Sequence, residues 1–254
     1  AGSRLQPGPA YEAAGWLAVE PTDEDPDWPT LRGRPDRAGR TEDPVPTDLA
    51  DAWRTELGGR ISAPVIANGR VFVAQIDRHK VHCLDAGSGE PRWAFAAGAR
   101  VDSPPTIWRG LVLFGSADGH VYCLRAEDGA LCWRFRAAPA DLRLVAMDRI
   151  ESVWPVHGTV LVRDLGDQAE VWAVAGRSMF LDGGLRLVRL DAATGRLISE
   201  TVMGGRDPNS EQELQALHAG LNMPVALPDV LVDDGSAVYM RSQPFDLTGR
   251  RLDL

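Results

Sequence analysis

The chain is short of positive charge, of cysteine and of long apolar runs, and each shortage removes a class of function. Its 254 residues carry 27 Lys and Arg against 36 Asp and Glu, a formal net charge of −9. No basic stripe exists, so a nucleic-acid partner is not expected. No apolar run approaches the ~20 residues that cross a bilayer as a helix. The three cysteines are an odd number, and none stands in a C-x-x-C spacing, which argues against zinc and dithiol redox sites. A G-x-S-x-G elbow and a glycine-rich phosphate loop are both missing, and with them the usual serine-hydrolase and nucleotide signatures. The histidines are scattered, and only His79 and His82 fall close together, where a turn and a strand would splay them. The chain opens at Ala1 with no signal-peptide pattern, so a processed form or an excerpt is expected.

What is there is a unit written twice. Trp53, Trp93 and Trp133 are each 40 residues apart. In the same register Arg60 recurs as Arg100, Pro64 as Pro104, Cys83 as Cys123, Leu84 as Leu124 and Gly89 as Gly129. Each unit holds four short runs of β-branched, aromatic or apolar residues closed by turn residues. Asp118-Gly119 and Asp128-Gly129 are hairpin turns. Runs such as Val71-Phe72-Val73-Ala74 are apolar on both faces, as expected of a sheet packed between two others. A period near 40 made of strands implies propeller blades. With 44% hydrophobic residues the chain can bury a large core as one all-β domain. The expected fold is a β-propeller of four-stranded antiparallel blades, about three and a half of them present, forming part of a larger propeller.

Cys83-Leu84-Asp85-Ala86-Gly87-Ser88-Gly89-Glu90-Pro91-Arg92-Trp93 resembles the tryptophan-docking motif of quinoprotein-type (PQQ-like) β-propellers, A-x-D-x-x-T-G-x-x-x-W. Cys123 to Trp133 repeats it more loosely. Arg189 to Gly195 is a third copy, with Ser199 where the Trp belongs. The resemblance covers roughly residues 28 to 250 and speaks for the fold more than for a reaction. Its repeats are similar to those of the outer-membrane assembly lipoprotein type. That implies a non-catalytic binding or scaffold module, periplasmic or otherwise extracytoplasmic, with a protein partner. The alternative implied by the same family is a PQQ- and calcium-dependent quinoprotein dehydrogenase. Many such dehydrogenases carry a vicinal cysteine pair at the cofactor, and this chain has none.

In chain order, residues 1–27 read as a linker or arm and residues 28–52 as a lead-in, with Trp28 and Leu31 tacking it to the blades. Its arginines (Arg32, Arg34, Arg37, Arg40) read as a solvated face paired with Asp36, Glu42 and Asp43. Blades are expected at about 53–93, 94–136 and 150–203, with a partial one at 221–254. Gly129 to Gly195 spans 66 residues, so the third copy is stretched, and the excess is expected around residues 137–149 and 163–170. Its strands are expected at 153–162, 171–180, 185–190 and 197–203. Residues 207–220 read as a helix capped by Asn209 or Ser210, with Leu214, Leu217 and Leu221 on its apolar side. Two strands are expected around Asp234-Gly235.

The first strand of each blade lines a propeller's channel. The channel candidates are therefore Ser62, Asp102, Ser103, Glu151, Ser152 and Asn222. Asp102, Glu151 and Asn222 are the residue types that would suit a calcium ion. No catalytic residue is assigned. Trp53, Trp93, Trp133, Gly89, Gly129 and Gly195 are expected to be the structural repeat, at equivalent places on successive blades.

Overall fold

A computed structural model describes residues 3–12, 28–41, 44, 46–146, 148–206, 215–218, 221–228 and 230–253. The fold is all-β, and the one helical turn among the described residues is a 3-10 turn at Ile76–Arg78. Blade one is β2 (Val65–Ala67), β3 (Arg70–Gln75), β4 (Lys80–Asp85) and β5 (Pro91–Ala96), antiparallel in that order. Blade two is β6 (Thr106–Trp108), β7 (Leu111–Gly115), β8 (His120–Arg125) and β9 (Leu131–Arg136). Blade three is β12 (Leu161–Asp164), β13 (Ala169–Ala175), β14 (Leu185–Asp191) and β15 (Leu197–Met203). Blade four has three strands, β18 (Leu231–Asp233), β19 (Val238–Met240) and β20 (Gln243–Phe245), and a bridge from Phe245 to Arg251.

The core lies between the blades, which is why these strands are apolar on both faces. Phe72, Val81, Phe114 and Tyr122 join blades one and two. Leu113, Trp133, Val171 and Leu190 join two and three. Leu161, Trp172, Leu187 and Phe245 join three and four. Every residue of β7 is buried. Cys83 and Cys123 occupy equal register positions, opposite Trp93 and Trp133. Both are buried and free, and burial pushes the Cys83 thiol up to about 11.

Several sequence expectations are corrected. The arm is docked near its start: β1 (Leu5–Pro7) adds a fifth strand to the outer edge of blade two. Blade three begins at Leu161, not at 153. The 137–160 stretch instead folds a separate hairpin, β10 (Arg143–Ala146) and β11 (Arg149–Ser152). The second excess segment is residues 176–184, between β13 and β14. Residues 165–168 are only a tight turn closed by Leu165 N–H to Gln168 O. The helix expected at 207–220 is not formed where it is described. Gln215–His218 (β16) pairs with Leu221–Pro224 (β17), from Gln215↔Pro224 to His218↔Leu221. Residues 207–214 lie outside the described residues. The i, i+3, i+7 spacing of Leu214, Leu217 and Leu221 favours a helix, and the cross-strand pairing of 215–218 with 221–224 overrides it. Blade four has three strands, not two, because Ser242 ends a tight turn from Met240 that sequence reading ran together.

The docking contact recurs at all three tryptophans, with Trp93 on β5 and Trp133 on β9, while Trp53 lies outside any strand. Trp53 donates its indole N–H to Ala86 O at 2.8 Å, Trp93 to Ala126 O at 2.9 Å, and Trp133 to Ala192 O at 3.1 Å. Each indole of one unit therefore caps the turn of the next. Gly89, Gly129 and Gly195 lie beneath these rings with φ of 71°, 73° and 67°. A Cβ on any of them would stand 2.3–2.7 Å from indole carbons, so only glycine fits both the backbone and the ring.

A fourth motif copy closes blade four, one residue shorter than the others. Asp246 Oδ1 accepts hydrogen bonds from Thr248 N–H at 2.9 Å, Thr248 Oγ1 at 2.6 Å and Arg250 N–H at 2.9 Å. Asp191 holds Thr194 in the same way at 2.7 and 2.6 Å.

Candidate functional site

The inner strands β2, β6, β12 and β18 stand side by side. The lead-in crosses all four. Trp28 exchanges backbone hydrogen bonds with Ile66 in blade one, and Ile107 of blade two donates to Pro29 O at 2.8 Å. Thr30 Oγ1 lies 2.8 Å from Thr106 Oγ1, which donates to Val160 O at the start of blade three. In blade four, Asp233 N–H donates to Pro35 O at 3.1 Å.

Arg37 fixes this crossing. Its side chain is buried, contrary to the solvated face expected of the lead-in arginines. Nε donates to Leu231 O at 3.2 Å, and Nη1 donates to Thr30 Oγ1 at 2.6 Å and Leu31 O at 2.9 Å. Burial pulls the guanidinium down to about 10, with Asp36 acting the other way. A cavity of about 150 Å³ remains between the segment and the inner strands, bordered by Thr30, Arg37, Thr106, Trp108, Leu161 and Asp164. Ordinary ligand pockets start near ~300 Å³.

The sequence candidates gather elsewhere, at the end where the inner strands enter. Asp102 and Glu151 do come together, but through Arg100 rather than around an open space. Arg100 Nη2 donates to Glu151 Oε2 at 3.1 Å, and Arg100 Nη1 stands 3.7 Å from Asp102 Oδ1. Asp102 Oδ2 is also 2.6 Å from His157 Nδ1. Burial alone would raise the Asp102 carboxyl, but the His157 hydrogen bond and the charges of His157 and Arg100 hold it below its ordinary value. A second knot lies beside it: Asp77 binds Arg60 at 2.9 Å and Arg149 at 3.0 Å. Arg60 and Arg100 are the repeated pair, so the first two repeats each bring one arginine here.

The remaining candidates are structural or outside this cluster. Ser62 Oγ accepts from Ala74 N–H at 3.0 Å and donates to Ala63 O. Ser152 Oγ accepts from Trp154 N–H at 3.1 Å. Ser103 is buried, and its hydroxyl has no hydrogen-bond partner among the described residues. Asn222 lies on β17, and its side chain lies outside what is described. The calcium set therefore does not fit: both carboxylates are already spent on a guanidinium and an imidazole, and a cation beside Arg100 would be repelled. Among the described residues no three His, Cys, Asp or Glu side chains converge on a metal position.

The 137–149 stretch, singled out because insertions in an array often carry binding, is held at its second strand. Arg149 and Glu151 of β11 make the ion pairs above, and Ser152 N–H donates to Ala117 O at 2.8 Å. Val145 and Ile150, a cross-strand pair, face outward at 73% and 63% exposure. Trp154 donates to Asp182 O at 2.9 Å, which ties this insert to the 176–184 insert. The Asp102–His157 link was not foreseen. Its one sequence signal was that Asp102 stands 40 residues after Ser62 in the repeat register, at the entering end of the inner strands.

The PQQ_2 family profile, described as outer membrane protein assembly factor BamB, matches residues 46–243. The outer membrane protein assembly factor BamB of Yersinia pestis is 23% identical over 209 residues, 74% of this chain and 52% of that protein. The quinohemoprotein alcohol dehydrogenase of Comamonas testosteroni is 27% identical over 176 residues, 57% of this chain and 24% of that protein. The crystal structure of the Comamonas testosteroni enzyme superimposes with a TM-score of 0.66 at 17% identity, covering 96% of this chain and 44% of that one. The chain spans about half or less of the length of the curated relatives it matches. No helix among the described residues is long and apolar enough to cross a membrane.

Proposed function

The chain belongs to the PQQ-like propeller family whose profile it matches over residues 46–243, and from that membership we propose that it is a non-catalytic binding or scaffold module. On this reading it works in the periplasm or another extracytoplasmic compartment and engages a protein partner. One observation carries the proposal: the inner strands of all four blades are covered by residues 28–37, and Asp102 and Glu151 are already engaged by His157 and Arg100. A quinone and a hard cation need the opposite, an open axis and free carboxylates. The similarity to alcohol dehydrogenases supports a second reading, in which this stretch is part of a PQQ- and calcium-dependent enzyme.

Titration of the protein with pyrroloquinoline quinone and calcium, read by quinone absorbance and heat, separates the two. The binding-module reading expects no saturable, calcium-dependent binding at high micromolar quinone. Stoichiometric, calcium-dependent binding would overturn it in favour of the dehydrogenase.

A further inference from the structure

The molecule already contains one strand laid on the outside of a blade. On blade two, β1 pairs with β9 in the register Leu5↔Phe135, Gln6↔Arg134 and Pro7↔Trp133. Side chains add to the ladder: Arg134 Nε donates to Gln6 Oε1 at 2.6 Å, and Arg4 reaches across to Glu200 of blade three. An outer edge of these blades can therefore accept an extended segment, by main-chain pairing with side-chain ties.

The outer strand of blade three, β15, ends its sheet and pairs only with β14 among the described residues. It presents Ile198 and Val202, 46% and 50% exposed. Beside it runs a groove of about 660 Å³, bordered by Thr201, Met203, Arg206, Thr248, Arg250 and Arg251. The groove continues past Gly204 and Arg206 to Phe180 of the 176–184 insert. Arg206, Arg250 and Arg251 border it together with Asp253, Arg251 being tied through Nε to Gln243 Oε1 at 3.1 Å, in a chain whose net charge is −9. Arg206 and Arg250 are exposed, and Arg250 stands only loosely, at 3.7 Å, from Asp246.

We propose that the β15 edge and its arginine groove bind an extended acidic segment of a partner polypeptide, added to blade three as β1 is added to blade two. The proposal rests on the binding-module reading and names the surface that reading lacks. Backbone pairing along β15 supplies the direction of the segment, Ile198 and Val202 meet its apolar side chains, and Arg206 and Arg250 meet its carboxylates. Charge of this kind selects partners and speeds encounter, and salt weakens it.

The probe is a capped peptide alternating glutamate with valine, with two controls: the same peptide with lysine for glutamate, and a form N-methylated on alternate backbone nitrogens. Binding is followed by fluorescence anisotropy in low and high salt, and contact by amide hydrogen exchange. Saturable, salt-weakened binding of the glutamate peptide alone is expected, with new protection at residues 197–203. Arg206→Glu and Arg250→Glu should each weaken it about tenfold or more, while circular dichroism stays unchanged. Absence of saturable binding would overturn the proposal. So would equal binding of either control, protection confined to other strands, or occupation of the groove by a second copy, seen as concentration-dependent mass without peptide. The quinone titration is read separately. A failed peptide with no quinone binding removes this surface alone, whereas quinone binding removes the binding-module reading.

Discussion

The Trp133 ring of blade two lies against Gly195 of blade three, so close that a Cβ on that glycine would stand 2.5 Å from the indole. Two separable penalties follow for Gly195→Ala. A left-handed backbone costs a non-glycine residue about 1–2 kcal/mol, and the clash forces the buried indole to move. A total loss of about 3 kcal/mol is expected from denaturant unfolding. In a Trp133→Ala background the indole clash disappears and only the flexible Leu5 methyl, 2.9 Å from that Cβ, adds to the backbone strain, so about 1–2 kcal/mol should remain. Equal losses in both backgrounds would show that the ring does not press on this glycine.

The docking tryptophans are equivalent in place but unequal in burial. Trp133 is fully buried beneath β1 and blade three, while Trp93 is half-buried. Truncation of a buried tryptophan costs about 3–5 kcal/mol, so Trp133→Ala should fall in that range. Trp93→Ala should cost about 2 kcal/mol, because part of its ring already touches water. The ranking is read from paired unfolding curves, and a larger loss at Trp93 would contradict the packing described.

How much of this was legible in the sequence depended on how far apart the partners lie. The motif is local: Asp85 receives Gly87 N–H and Ser88 N–H within three residues. Its spacing therefore survives in a linear string. Arg37 is the opposite case. Its acceptors Val160 and Leu231 are 123 and 194 residues away, and nothing near Arg37 distinguishes it from the solvated Arg34. Asp102 and Glu151 were found as polar residues at strand entries, but Arg100 between them reverses their meaning. The fourth motif copy escaped because Asp246-Leu247-Thr248-Gly249 is one residue short of the pattern. The strand pair at 215–224 escaped because Leu214, Leu217 and Leu221 stand at the helical spacing i, i+3, i+7, and only cross-strand pairing overrides that local pattern.

Acid should loosen the blades in a defined window. The Asp85 carboxyl is held down at about 2, first by the Arg92 hydrogen bond and then by the Ser88 amide. Asp102 is also held below its ordinary value. A depressed folded value means that ionisation favours the fold. The contribution is complete above the ordinary carboxylate value near ~4 and is lost as pH falls towards about 2. Melting temperatures measured across this window should fall steeply below pH ~4. Asp85→Asn should flatten part of that fall. A melting temperature unchanged down to pH ~2 would show that these carboxylates do not couple to folding.

Arg37 is the test of the covered axis. Its guanidinium is buried, has no carboxylate in hydrogen-bonding contact among the described residues, and serves acceptors on the lead-in, on blade four and at the entry to blade three. Replacing it by Leu keeps the volume and strands those acceptors. A buried group left without its partner costs about 1–3 kcal/mol, and several are stranded at once, so a loss of about 3 kcal/mol or more is expected. Arg37→Lys should recover less than half of that, because a single ammonium cannot span a planar fork of acceptors. The same substitutions should expose the lead-in. Limited proteolysis should cut within residues 28–41 of Arg37→Leu under conditions where the parent protein is spared. A stable Leu variant with a protected lead-in would mean that Trp28 and Thr30 hold the crossing without the arginine. Increased cleavage without global unfolding would show that the segment covering the inner strands detaches on its own, and the axis would then be open to a ligand in that state.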